Sequence, residues 1–325
     1  MADNAGNDAF DLMRRNAVEV VDEAELREHA KRCGSDERPV VYCGYETSGD
    51  VHLGHLVTIT KLLDFQKAGA KVKVLFADWH TWLNQKGDWD FIKKQVSEWE
   101  KIFRAAGLVD AEYVLGSSFQ RSIEYVDDVL KLSLRTTLNR ALRSMQEVGR
   151  DMEHAKVSQM IYPLMQIADI KWLGVDIAYG GIEQRKIHML ARELLPGLEY
   201  KAPTCVHTPL IPSLTSKGKM SSSVSESLIS LKDDEASVAK KLRKAYCPEG
   251  VVEENPVLAI AKLVVFPRVT EFVVERPEKF GGNVAFSSYD ELERTFVARE
   301  LHPMDLKDAV AKHLSKILGE IQAKL

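Results

Sequence analysis

The sequence predicts an α/β protein, with a parallel, helix-covered sheet followed by a second, α-helical domain. Short apolar, β-branched runs recur at residues 40–43, 72–77, 175–179 and 205–211, separated by longer segments of helical period. That alternation is the pattern of a parallel sheet whose crossovers are helices. It stops at a serine-rich patch, residues 221–227, beyond which the patterns are helical. A chain of 325 residues also exceeds what a single hydrophobic core usually organises. Two domains are therefore expected, 1–224 and 225–325.

In chain order, the run 40–43 leads through a glycine-bearing turn into a helix expected to begin near Leu53. Between residues 88 and 107, Ile92, Val96, Trp99, Phe103 and Ala106 fall on one helical face; Asp88 is placed to cap the start and Gly107 to take the left-handed end. With a second helical stretch, 122–148, which carries Lys131, Arg135, Arg140 and Arg143, it makes an insertion of connective helices at about 85–150. Residues 160–173 are apolar except for a few groups, among them Tyr162, Gln166 and Asp169 at i, i+4 and i+7. A helix puts those three on one face, with Pro163 expected to kink the turn. Thr215, Ser216, Lys217 and Gly218 lead into the serine patch, and the composition is that of a mobile loop. Residues 236–245 and 303–325 read as helices, the latter with Leu306, Val310, His313, Leu314 and Ile317 on one stripe.

Composition narrows the function classes. With 44 basic and 48 acidic residues, the formal charge of -4 argues against a protein that coats nucleic acid or anionic membranes, so any nucleic-acid contact must be local. Cys33, Cys43, Cys205 and Cys247 are widely spaced, with no C-x-x-C pair, which suggests buried thiols in a reducing compartment and no protein-ligated metal. The polar, acidic start and the lack of a long apolar run lead us to expect a cytoplasmic protein with no membrane partner.

Three segments carry chemistry. The first junction runs from Gly44 to His-Leu-Gly-His at 52–55. A glycine-bearing turn entering a helix N-terminus offers backbone N–H groups to phosphate. His52 and His55 add two imidazole donors, and Gly54 leaves room for a base or ribose. Far downstream, Lys217-Gly218-Lys219-Met220-Ser221-Ser222-Ser223 sets a point charge and hydroxyls on the expected loop, suited to a pyrophosphate leaving group. Alone, these are ordinarily a surface turn and a solvated loop. In the third segment, Asp169 with Tyr42 from a neighbouring strand offers hydrogen bonds to a phenol, and Tyr162, Gln166 and Gln184 offer them to an α-amino group. A polar stripe packed against another element is the other reading of that spacing.

Together, H-x-G-H at the first junction and K-M-S-S-S late in the sheet resemble class I aminoacyl-tRNA synthetases. The match extends to Leu83-Asn-Gln-Lys-Gly87, to residues 180–195 beginning Gly-Gly-Ile-Glu-Gln, to Arg276-Pro-Glu-Lys-Phe-Gly-Gly282 and to Glu300-Leu-His-Pro-Met-Asp305. Over nearly the whole chain it is similar to tyrosyl-tRNA synthetases of the archaeal and eukaryotic type. The resemblance implies a Rossmann-like, doubly wound catalytic domain, a helical anticodon-recognition domain and a homodimer. It implies tyrosine activation by ATP with Mg2+, followed by transfer to tRNA(Tyr). It assigns the substrate hydroxyl to Tyr42 and Asp169, and the amino group to Tyr162, Gln166 and Gln184. ATP falls to Gly44, Gly54, His52, His55, Lys219, Met220, Ser221 and Ser222, with His52, His55 and Lys219 as the catalytic groups. Arg143 and Arg185 match the arginines that approach the first acceptor base pair; Phe280 and His302 match the pair stacking on the first anticodon base, and Asp305 its hydrogen-bonding carboxylate.

One departure stands out: many relatives follow the serines with Lys-Gly-Asn, where this chain has Val224-Ser225-Glu226, and the second loop lysine of other class I members is Ser222 here. The rival readings are a tryptophanyl enzyme, which needs only an acceptor for an indole N–H; a small nucleotidyltransferase, which lacks the K-M-S-S-S loop; and a non-catalytic RNA-binding module, against which intact His52, His55 and Lys219 argue.

Overall fold

The computed structural model describes residues 2–149, 152–215 and 228–325. They divide into two units, Met1–Gly49 with Lys61–Pro209, and Asp50–Thr60 with Leu210–Leu325. The boundary expected at 224/225 falls on residues 216–227, outside the described residues.

The first unit contains α1 (Ala2–Arg14), β1 (Glu19–Val21), α2 (Glu23–Arg32) and β2 (Val40–Tyr45). The chain continues through α3 (Leu53–Lys67), whose later turns belong to this unit, into β3 (Lys71–Phe76), α4 (Asp78–Leu83), α5 (Trp89–Ala105) and β4 (Glu112–Leu115). There follow α6 (Ile123–Ser133), α7 (Leu138–Met145), α8 (Val157–Trp172), β5 (Ile177–Gly181), α9 (Arg185–Leu194) and β6 (Thr204–Thr208). The described strands form a six-stranded sheet in the order β1-β6-β5-β2-β3-β4, parallel except for β1 at the edge. Consecutive strands β2, β3 and β4 build one side, then the chain crosses back to lay β5 and β6 on the other. β2 is thus the switch point of a doubly wound sheet, where ligands bind beyond the strand C-termini.

Strand alternation decides which side chains meet which helices. On one face, Phe103 of α5 packs edge-on against Tyr45 and Phe76, with ring centroids at 4.9 and 5.8 Å, and Phe65 of α3 meets Tyr179. On the other, Tyr42, Leu75, Ala178 and Cys205 pack on Leu164, Ile167, Ala168 and Ile170 of α8. α8 is therefore buried nearly all round and holds its few polar groups against the sheet, and it continues through Pro163. The α5 prediction holds in detail: Asp88 accepts from Phe91 N at 2.8 Å, and Gly107 sits at φ 114°.

Two expectations change. Residues 122–148 form α6 and α7 instead of one stretch, because Thr136 turns its hydroxyl back to Leu132 O and Thr137 caps a new helix at Arg140 N. β1 and β4, three and four residues long, were not expected at all.

In the second unit, α10 (Glu235–Lys244) and α11 (Pro256–Ile260) pack on α13 (Pro303–Gln322), and α12 (Tyr289–Val297) is the remaining described helix of this part of the chain. The unit is not wholly helical: β7 (Phe272–Val274) and β8 (Val284–Phe286) form an antiparallel hairpin. His313, expected on the apolar stripe of α13, stacks on Phe272 and accepts from Val273 N at 3.0 Å, tying the helix to the hairpin.

Candidate active site

At the C-terminal ends of β2, β3 and β5 lies a cavity of about 70 Å³. Its lining includes Tyr42 and Gly44 from β2, Leu75 from β3, Tyr162, Gln166 and Asp169 from α8, and Gln184 after β5. All five residues expected around an amino acid are therefore brought to one place. Gln166 donates to Gln184 Oε1 at 3.2 Å, and the Tyr42 hydroxyl bonds Gln166. Gly44 lies beside the Tyr42 hydroxyl, and a Cβ there would stand 3.7 Å from it, in ordinary contact.

The floor is built by residues that the sequence reading missed. Asp169 is fully buried; its Oδ1 accepts from Gln120 at 2.9 Å and from the Tyr125 hydroxyl at 2.8 Å, while Oδ2 has no hydrogen-bond partner among the described residues. Burial, only partly offset by those two donors, pushes its carboxyl up to about 7. His80 stands edge-on to Tyr162 at 4.6 Å, with Nε2 3.7 Å from Asp169 Oδ2. Burial lowers this imidazole to about 3, so it is neutral. His80, Gln120 and Tyr125 come from three separate elements, and no spacing rule links them to α8.

The H-x-G-H turn belongs to the second unit. Its rings lie 3.9 Å apart, His55 Nδ1 accepts from His52 N, and His52 Nδ1 accepts from Gly54 N, both at 3.1 Å. With both Nδ1 atoms accepting, a ring that is neutral carries its proton on Nε2. Burial keeps His52 neutral, lowering it to about 4. A Cβ on Gly54 would come within 2.9 Å of the His52 ring, so a side chain there would push the imidazole aside.

The expectation of free backbone donors needs correction. Leu53 N is bonded to Ile229 O, Gly54 N to His52, and the N–H groups of His55 and Leu56 to His52 O. The imidazoles, not the backbone, are the donors of this turn. The bonds from Leu53 to Ile229 and from Leu231 to Val51 also strap residues 229–231 along it, with His52 bridging Ser230. Lys219, Met220, Ser221 and Ser222 lie outside the described residues, as do Lys217 and Val224-Ser225-Glu226, but the chain resumes directly against the histidines.

Arg143 on α7 and Arg185 at the start of α9 are exposed on packed helices, which Lys186 links through Gln146 at 3.1 Å. In the second unit, His302 caps α13 by accepting from Met304 N, and Asp305 stands in the first turn. Phe280 ends a short turn before Gly281 and Gly282, whose φ values of 97° and 70° suit glycine. Arg276 clasps this loop by donating to Gly282 O and Glu300 O, which brings Phe280's loop to the segment carrying His302.

A doubly wound sheet with a polar-floored cavity at its switch point defines an α/β protein that binds a small ligand at its strand ends. Residues 35–319 match the tRNA synthetases class I (W and Y), and the chain belongs to that family. It is 54% identical over 319 residues to a tyrosine–tRNA ligase of Methanococcoides burtonii, covering 97% of this chain and 99% of that one. A second, from Archaeoglobus fulgidus, is 52% identical over 316 residues, covering 97% and 96%. The crystal structure of an Archaeoglobus fulgidus tyrosyl-tRNA synthetase complexed with L-tyrosine superimposes with a TM-score of 0.94 at 51% identity, covering 98% of this chain and 99% of that one. Among the described residues, no helix is long and apolar enough to cross a membrane.

Proposed function

We propose that this chain is a tyrosine–tRNA ligase. It activates L-tyrosine with Mg-ATP to tyrosyl adenylate and pyrophosphate, then transfers the tyrosyl group to the 3′ end of tRNA(Tyr). The observation that carries the reading is the Asp169 Oδ2 atom, buried without a hydrogen-bond partner among the described residues in a cavity that Tyr42 also lines. A phenol hydroxyl donates to the one and accepts from the other, whereas an indole N–H only donates and a phenyl ring does neither. The unmatched polar groups are what exclude the wrong amino acid.

In the first step the tyrosine carboxylate attacks the α-phosphate and pyrophosphate leaves. In the second a ribose hydroxyl attacks the acyl carbon and AMP leaves. Neither step needs a protein nucleophile, so alignment and charge placement do the work. Tyr162, Gln166 and Gln184 hold the α-amino group. His52 and His55 donate from Nε2 to ATP phosphates, Gly44 and Gly54 keep the nucleotide's place clear, and Lys219 with Met220, Ser221 and Ser222 meets the leaving pyrophosphate.

Arg143 and Arg185 approach the first acceptor base pair. Phe280 and His302 stack on the first anticodon base, each such face worth about 1–3 kcal/mol, and Asp305 accepts from it, which favours a base edge bearing donors, such as guanine. Residues 225–325 form the anticodon-reading domain. The protein works in the cytoplasm as a homodimer, for which α6, the turn after it and the start of α7 offer exposed apolar residues. Ile123, Val126 and Leu130 recur at helical spacing on α6, Leu134 and Leu138 follow in the turn and at the start of α7, and the five are 44–88% exposed.

Substituting Asp169→Asn tests the carrying observation. Tyrosine kcat/KM should fall about 100-fold, as expected for a lost hydrogen bond to a charged group. A change of less than twofold contradicts the assignment.

A further inference from the structure

We propose that Glu19, His207 and His188 form a row of hydrogen bonds that positions the Arg185 guanidinium for the acceptor end of tRNA. This rests on the reading of Arg185 as an RNA contact given above.

β1 pairs with β6 so that Glu19 lies opposite His207, and β5 sets Gly180 beside His207 on the other side. Both Glu19 oxygens accept from Arg185 Nε at 2.8 Å. Glu19 Oε2 lies 2.9 Å from His207 Nδ1, and His207 Nε2 lies 3.0 Å from His188 Nδ1. A carboxylate only accepts, so neutral His207 carries its proton on Nδ1. Its Nε2 is then an acceptor, and His188 donates from Nδ1. Every proton in the row points towards Glu19, and Glu19 points its charge at Arg185.

The two imidazoles are 0% and 1% exposed. Burial lowers both, His188 to about 3, so they orient Glu19 as neutral donors and Arg185 supplies the positive charge of the row. Arg185 is the exposed end, its side chain 47% accessible. Its bonds to Glu19 use Nε, and its two Nη groups bond no described residue, so they remain for an external acceptor. An arginine held in this way has little rotamer freedom left to lose when RNA binds.

The row also reaches the amino-acid cavity. A Cβ on Gly180 would stand 3.5 Å from His188 Cε1 and 2.8 Å from Gln184 Cγ, so one bare glycine seats both the end of the row and a cavity-lining residue.

The test is steady-state aminoacylation of tRNA(Tyr) by Glu19→Gln, His207→Gln, Arg185→Ala and the double variant E19Q/R185A, with tyrosine-dependent ATP–pyrophosphate exchange as a second readout. E19Q should raise the KM for tRNA about tenfold, the loss of one charge-assisted bond, with exchange within twofold of wild type. The double variant should be no worse than R185A. If R185A is impaired while E19Q binds tRNA as well as wild type, the row has no positioning role and the reading of Arg185 survives. If R185A charges tRNA normally, both fall. Exchange lost in parallel with charging in E19Q would mark a general structural role and overturn the proposal. His207 is buried; if H207Q unfolds, E19Q, altered at a partly exposed residue, decides alone.

Discussion

Asp169 shows what the pocket costs at the scale of one residue. An ordinary aspartate titrates near 4 in the unfolded chain, whereas here burial raises it to about 7. Between those values the folded state binds more protons than the unfolded one, so this group's contribution to stability falls as pH rises from about 4 to about 7. His80, lowered to about 3, acts in the opposite sense: the unfolded chain binds the extra proton, and stability rises up to about pH 6.5. In wild type the two slopes largely offset each other. Thermal unfolding of Asp169→Asn should therefore show stability that climbs with pH more steeply than wild type across pH 4–7. Parallel curves for the two proteins would mean that Asp169 titrates normally. Tyr162, Gln166 and Asp169 were legible because one helix gives them one period, and Tyr42 because it sits in a strand of recognisable pattern. His80, Gln120 and Tyr125 were not, since each meets Asp169 only through tertiary packing.

Elements were legible in proportion to their length and apolar content. The runs of β2, β3, β5 and β6 and the cap of α5 could be read directly, whereas β1 and β4 are short, half-buried and carry charge at their first residues, too little for a pattern to register. The break between α6 and α7 depends on two threonine hydroxyls competing with helix hydrogen bonds, which periodicity does not see. In the second unit the β7–β8 loop is placed by Arg276, which spans Gly282 O and Glu300 O. Arg276→Ala should therefore raise the KM for tRNA(Tyr) several-fold, because the loop of the proposed stacking residue Phe280 would lose its tie to the segment of His302. Tyrosine-dependent exchange, which needs no tRNA, should stay as in wild type. An unchanged KM would remove the loop from the RNA contact.

For the whole molecule, a formal charge of -4 excludes a nonspecific polyanion coat, and the proposed contacts agree with it by being few and placed: two arginines, a stacking pair and one carboxylate. The exposed apolar residues of α6 and the turn after it give the assembly its own prediction. Leu134→Glu places a charge at the most exposed of them, and sedimentation should then report monomer where wild type reports dimer; a dimer that survives the change would move the interface elsewhere. The most direct test of the central claim is ATP–pyrophosphate exchange by the purified protein with tyrosine, tryptophan and phenylalanine supplied separately. Exchange should depend on tyrosine and stay near background with the other two. Exchange driven by tryptophan, or exchange indifferent to the amino acid, would contradict the account.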